Sequence, residues 1–325
     1  MPLQYSAEFF KVFEPLIPTL KARPKPPPHD IVTRRNNHGL IVQMLSHLPD
    51  TPNVEETVHH VESDDGYQIA VHTFAVKSQS QLEKPTAGVL HCHGGGMIMG
   101  SVGGFSKGIA NTVARTGIPF FSVDYRVAPE HTGTGGTGLV DDCYAGLVWL
   151  SKHASEFNVD PSRIVVMGES AGGGIAAGVV LKARDKGLQP PVAKQLLVYP
   201  MLDDRNNKPI EALEPLAFWR VSDNITGWTA LLGDKAGNPD ADVSEYAAPA
   251  RAKDVSGLPP TYIDCGGLDI FRDECIEYAR RLAVEDIEVE FHLYPGVPHG
   301  FDILAFDAPT SKRAFENRHA ALATI

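Results

Sequence analysis

From about residue 57 the chain alternates between short apolar runs and longer stretches with helical spacing. Val289–Tyr294 reads as a strand, and Ala87–His93, Ile118–Val123, Arg163–Met167, Gln195–Tyr199 and Thr261–Cys265 are apolar at nearly consecutive positions. Strands buried on both faces read this way. Helical patterns fall near 104–116, 139–153, 171–186, 272–285 and 310–322. The beginning differs: two strands flank the turn signal Asp64-Asp65-Gly66, and Tyr67–Phe74 alternates as a half-buried antiparallel strand does. The expectation is an α/β fold with a mostly parallel eight-stranded sheet, helices on both faces and an antiparallel start.

Two intervals break the rhythm. In residues 1–50, Tyr5, Phe9, Phe10, Val12, Phe13, Leu16 and Ile17 recur at roughly helical spacing. The prolines of Lys21–Pro28 then demand an extended connection, and Gly39–Leu45 reads as a second short helix. Between Asp204 and Tyr246 there is no strand pattern, only helix-like pieces carrying Phe218, Trp219, Trp228, Leu231 and Leu232. That is too long for a plain connection and reads as a helical insertion. The division is therefore 1–50 as an N-terminal segment, 51–203 with 247–325 as the main domain, and 204–246 as an insertion. Both extra pieces are placed to cap the carboxyl ends of the strands, where open α/β sheets bind ligands. The Gly/Thr run at 133–138 is expected to be a flexible loop; no Lys-Ser/Thr pair follows to make it a phosphate cradle.

Composition narrows the partners. A formal charge of −11 over 325 residues argues against nucleic acid and anionic membrane. No apolar run approaches the roughly 18 residues of a membrane span, and the N-terminus lacks a basic-then-apolar leader, so the expected location is cytoplasmic. Cys92 and Cys265 lie in strand-like runs and, like Cys143 and Cys275, lack paired spacing. Buried free thiols are expected rather than disulfides or a metal site.

The chemistry centres on Gly168-Glu169-Ser170-Ala171-Gly172, between the run Arg163–Met167 and the small-then-apolar stretch from Gly173 to Leu181. A serine on such a strand–turn–helix junction sits on a nucleophile elbow, and the Ala171 N–H at the helix start faces any charge developing beside it. A base is needed, and His299 lies in the turn-rich loop after the last strand. An orienting acid is needed on the loop after the preceding strand, where Gly266-Gly267-Leu268-Asp269 offers Asp269. Its rivals are Asp264, which falls within the strand, and Asp273 and Glu274, which suit the first turn of the next helix. His93-Gly94-Gly95-Gly96, directly after a buried strand, lets backbone N–H groups turn towards a ligand.

Several motifs in order carry a family resemblance over about residues 60–311. They are His93–Gly96, Asp124-Tyr125-Arg126-Val127-Ala128-Pro129-Glu130-His131, Val159–Arg163 leading into Gly168–Gly173, Tyr199-Pro200, Leu258–Pro260, Gly267–Asp269 through Asp273-Glu274, and His299-Gly300-Phe301. Together they resemble the hormone-sensitive-lipase-like group of α/β-hydrolase carboxylesterases. The resemblance implies an α/β-hydrolase fold, an oxyanion hole at Gly95, Gly96 and Ala171, and a cap built from residues 1–50 and 204–246. It departs from the family at Glu169, where Asp or Thr is commoner, at the Gly/Thr loop after His131, and at the proline-rich segment. Arg126 is expected to tie loops together by ion pairs.

The expected function is hydrolysis of short-to-medium acyl esters through Ser170, His299 and Asp269, without metal or organic cofactor. The expected partner is a small-molecule ester, with the chain a monomer or homodimer. Met97, Phe218, Trp219 and Val297, with Ile98 and Met99, are the apolar pocket candidates. A lactone or a secondary-metabolite acetyl ester would use the same machinery. A reading from another class is a non-catalytic binding protein like the gibberellin receptors, which lack the catalytic histidine; this chain has Ser170, Asp269 and His299.

Overall fold

In the computed structural model, which describes residues 2–325, the apolar runs join into one eight-stranded sheet. Its strands are β1 (Val54–Glu62), β2 (Gln68–Val76), β3 (Thr86–Cys92), β4 (Phe120–Asp124), β5 (Val159–Glu169), β6 (Lys194–Val198), β7 (Thr261–Gly266) and β8 (Val289–Tyr294). They lie in the order β1-β2-β4-β3-β5-β6-β7-β8. β2 pairs antiparallel with β1 and β4, and all other neighbours are parallel. The burial pattern gives the reason: β3 and β7 are covered on both faces, while β1 and β2 form a hairpin with a solvated side.

The helices are α1 (Ala7–Phe13), α2 (Ile17–Lys21), α3 (Ile31–Ser46), α4 (Val102–Thr116), α5 (Gly138–His153), α6 (Ala171–Asp185), α7 (Val221–Leu232), α8 (Arg272–Val284), α9 (Phe301–Leu304) and α10 (Pro309–Ala323). The α6 helix is buried from Ala171 to Ala183, because its run of Gly and Ala permits close approach to the sheet. Ser101 makes no cap for α4; Asp124, at the end of β4, accepts from the Val102 N–H instead at 2.9 Å. No helix among the described residues is long and apolar enough to cross a membrane. All four cysteines are buried and free.

Two local expectations change. The helix expected at Gly39–Leu45 runs from Ile31 to Ser46, started by the Asp30 side chain accepting from the Thr33 N–H. The polar run Arg34-Arg35-Asn36-Asn37 hides its first half, because Arg34 is buried yet polar. It donates to Asp223 on α7 and to the carbonyls of Pro26, Pro27 and Asp30. The N-terminal segment packs on the rest of the chain: Phe9 and Phe13 join the main core, and the Tyr5 hydroxyl donates to the Leu216 carbonyl. The Gly/Thr loop is a tied turn, not a free one. Gly136 is buried under the insertion so tightly that a β-carbon there would come within 2.4 Å of Leu232.

Candidate active site

Ser170 sits between β5 and α6 with φ 57° and ψ −122°, a conformation side chains seldom adopt. The turn is held from the next strand: the Ser170 N–H donates to the Val198 carbonyl, and the Ser170 carbonyl accepts from Met201 and Gly174. Gly172 is required because a β-carbon there would lie 2.1 Å from the Cys92 carbonyl oxygen. The elbow is thereby pressed against the end of β3, from which the glycine loop departs.

His299 and Asp269 reach the serine from the loops after β8 and β7. His299 Nε2 is 2.8 Å from Ser170 Oγ, and His299 Nδ1 is 2.6 Å from Asp269 Oδ2. The other carboxylate oxygen of Asp269 accepts from the Phe271 N–H at 2.9 Å. Asp269 is fully buried, with Ser170 and His299 only 8% and 6% exposed, so water screens this chain poorly. The rings of Tyr199 and Phe271 meet the imidazole edge-on, at centroid distances of 4.7 and 5.0 Å. Tyr199 enters the sequence reading only within a strand run and the Tyr199-Pro200 motif, with no role of its own, and Phe271 not at all.

The rival acids are occupied elsewhere. Asp264 lies inside β7 and accepts two bonds from Arg318. Glu274 accepts from the Leu202 and Asp203 N–H groups and from Asn206, and burial pushes its carboxyl well up. Asp273 pairs with Arg272 at the surface.

On the other side of Ser170 the glycine loop turns back. Gly95 takes φ +135°, and a β-carbon there would lie 1.9 Å from the Met99 carbonyl oxygen. Among the described residues no backbone carbonyl accepts from the N–H groups of Gly95, Gly96 or Ala171. The loop is anchored by His93, whose Nδ1–H donates to the Gly94 carbonyl and whose ring stacks on Tyr125 at 4.2 Å. The Tyr125 hydroxyl donates to the His93 carbonyl. Burial lowers the His93 imidazole to about 4, leaving the ring neutral. Glu169 reaches His91 on β3, Nε2 lying 2.9 and 3.0 Å from its two oxygens, and His91 Nδ1 meets Ser122 Oγ. The carboxylate thus links the elbow to the strand that carries the glycine loop.

Arg126 bridges Asp142 and Asp65, as an ion-pair tie between loops should. Arg35 ties α3 to the Ile98 and Ala128 carbonyls and to Glu130. The pocket candidates divide. Trp219 covers Gly96, where a β-carbon would come within 2.3 Å of its ring, and its centroid is 6.5 Å from that of His299. Phe218 is partly buried beside it in the chain. Met97 and Val297 are 1% and 0% exposed and present no surface to solvent, since both are packed into the core by the loops that carry them.

This arrangement can be set beside known proteins. Residues 89–303 match a family described as having the alpha/beta hydrolase fold. Esterase LipI of Mycobacterium tuberculosis is 34% identical over 248 residues, covering 75% of this chain and 74% of that protein. Carboxylesterase NlhH of the same organism is 35% identical over 244 residues, covering 72% of each. A solved bacterial heroin esterase is 37% identical, with a TM-score of 0.84 over 97% of this chain and 98% of that one. With the sheet order and the motifs agreeing, the chain belongs to the hormone-sensitive-lipase-like family of α/β-hydrolase esterases.

Proposed function

We propose that the chain is a serine carboxylesterase for short-to-medium acyl esters. The observation that carries this reading is the continuous chain Asp269–His299–Ser170, with contacts of 2.6 and 2.8 Å between side chains from three separate loops. Ser170 Oγ attacks the ester carbonyl while His299 Nε2 takes its proton. Asp269 holds Nδ1–H and stabilises the imidazolium. The N–H groups of Gly95, Gly96 and Ala171 receive the oxyanion, supported by their lack of internal acceptors. His299 then protonates the leaving alcohol, and water, deprotonated by the same nitrogen, hydrolyses the acyl-enzyme. The names of LipI, NlhH and the heroin esterase agree with ester substrates. Residues 1–50 and 204–246 act as the cap, with Trp219 and Phe218 as apolar walls; Trp219 over Gly96 favours a compact acyl group.

The test is hydrolysis of p-nitrophenyl esters from acetate to palmitate by the protein and by Ser170→Ala. Serine-dependent turnover that falls with chain length is expected. Undiminished turnover by the variant would overturn the mechanism. A folded protein inert on every chain length would overturn the substrate class.

A further inference from the structure

We infer that Tyr199 is a positioning residue for His299, braced from behind by a buried Asp302–Arg318–Asp264 cluster; the inference rests on the triad reading above. The first observation is backbone strain. Tyr199 has φ +36° and precedes Pro200, two circumstances unfavourable to a bulky residue. Its backbone is held there on one side by donating to the Asp264 carbonyl at 2.7 Å, and on the other by the Met201 to Ser170 bond. Glycine or asparagine would suit that conformation better, so the backbone alone does not call for tyrosine.

The side chain is tied at both ends. Its ring meets the His299 imidazole at 4.7 Å and 67°, and its hydroxyl donates to Asp302 Oδ1 at 2.9 Å. Asp302 lies three residues beyond His299, at the start of α9, and pairs with Arg318 of α10. Arg318 also grips Asp264 of β7 through two bonds, at 2.6 and 3.0 Å. Tyr199, Asp302, Arg318 and Asp264 are all at most 4% exposed. The strand that buttresses the nucleophile, the loop that carries the base and the strand that leads to the acid therefore meet in one group. Burial and the neighbouring Asp302 hold the Tyr199 hydroxyl in its protonated form.

The cluster also carries charge. Groups facing His299 directly are Asp269, Ser170 and the rings of Tyr199, Phe271 and Trp219. Behind Tyr199 stand two carboxylates against one guanidinium, with Glu169, itself paired with His91, acting on the same tyrosine. These pairs fix the hydroxyl end of the tyrosine in place.

The experiment compares Tyr199→Leu, Tyr199→Phe and Asp302→Asn with Ser170→Ala. Active sites are titrated to completion with a p-nitrophenyl phosphate triester, and folding is checked by circular dichroism. Tyr199→Leu is expected to lower kcat per titrated site about 10²-fold, the scale of an ångström-sized misplacement, with KM within about twofold. Tyr199→Phe keeps the ring and is expected to lose less than about tenfold. Asp302→Asn keeps the ring and loosens its hydroxyl anchor, and is expected to lower kcat per titrated site less than about tenfold with KM within about twofold. Wild-type kcat per site in Tyr199→Leu would overturn the inference. So would a loss confined to the titratable fraction, or a Tyr199→Phe loss as large as that of Tyr199→Leu. Activity surviving in Ser170→Ala would remove the triad reading, and the inference with it; an inactive Ser170→Ala beside an unimpaired Tyr199→Leu would remove the positioning role alone.

Discussion

Asp269→Asn separates orientation from charge because the two carboxylate oxygens of Asp269 have different partners. Oδ1 accepts the Phe271 N–H at 2.9 Å, and Oδ2 faces His299 Nδ1 at 2.6 Å. In the variant the amide oxygen keeps the Phe271 bond, so the NH2 group must point at Nδ1. An NH2 group cannot accept a hydrogen bond, and Nδ1 is forced to give up its proton and become the acceptor. Nε2 then carries the hydrogen and donates to Ser170 Oγ, the reverse of what a base must do. The expected cost is about 10⁴ in kcat, or about 5 kcal/mol of transition-state stabilisation. KM for p-nitrophenyl butyrate should change little, since neither group touches the acyl chain. The assay is steady-state hydrolysis on titrated enzyme, with Glu274→Gln as control. Glu274 caps backbone N–H groups at Leu202 and Asp203, so its variant should lose thermal stability and keep kcat within about threefold. If Asp269→Asn retained a tenth of wild-type kcat, the assignment of the acid would fall. A collapse of kcat in folded Glu274→Gln would point to the other carboxyl.

Other expectations follow from the same geometry. His93 has its folded-state imidazole lowered to about 4 against an ordinary 6.5, so between those values only the unfolded chain binds the proton. Stability is fully present above about 6.5 and is lost as pH falls towards 4, by about 3 kcal/mol for this group. Urea midpoints at pH 7.5 and 4.5 check this, and equal midpoints would refute it. Gly95→Ala should cost 10²- to 10³-fold in kcat, on the order of one lost oxyanion donor, because the new methyl collides with Met99; unaltered kinetics would exclude the loop from the oxyanion site. Trp219→Ala should raise kcat/KM for octanoate relative to acetate about tenfold, the scale of a few freed methylene contacts, and an unchanged ratio would remove Trp219 from the pocket.

The residues that were easy to read are those whose role is local. The Asp64–Gly66 turn, the doubly buried strands and the glycine–serine elbow each declare themselves within a few positions, because strand period, turn chemistry and close helix–strand packing are short-range properties. The α3 helix was half hidden for the opposite reason. Arg34 looks like a surface residue until Asp223, far along the chain, is seen to pair with it. The Gly/Thr run likewise reads as free until Leu232 is found lying on Gly136.

At the site the same division holds. Ser170, Asp269 and His299, which the fold brings together, could be named by their places after β5, β7 and β8, and the glycines proposed for the oxyanion by their position after β3. Four carboxyl groups competed for the third role, and chain position alone ranked them without separating them. Only the folded chain shows Asp264 taken by Arg318, Glu274 by backbone N–H groups and Asp273 by a surface arginine. The sequence by itself determined the order of strands and helices and the chemical types brought to the carboxyl end of the sheet, because these depend on periodicity and on neighbours in the chain. Only the tertiary structure decided which buried charges pair, how the N-terminal segment and the insertion lock together, and which rings lie against the imidazole. Those contacts join residues far apart in sequence, and their energies exist only once water has been excluded between them.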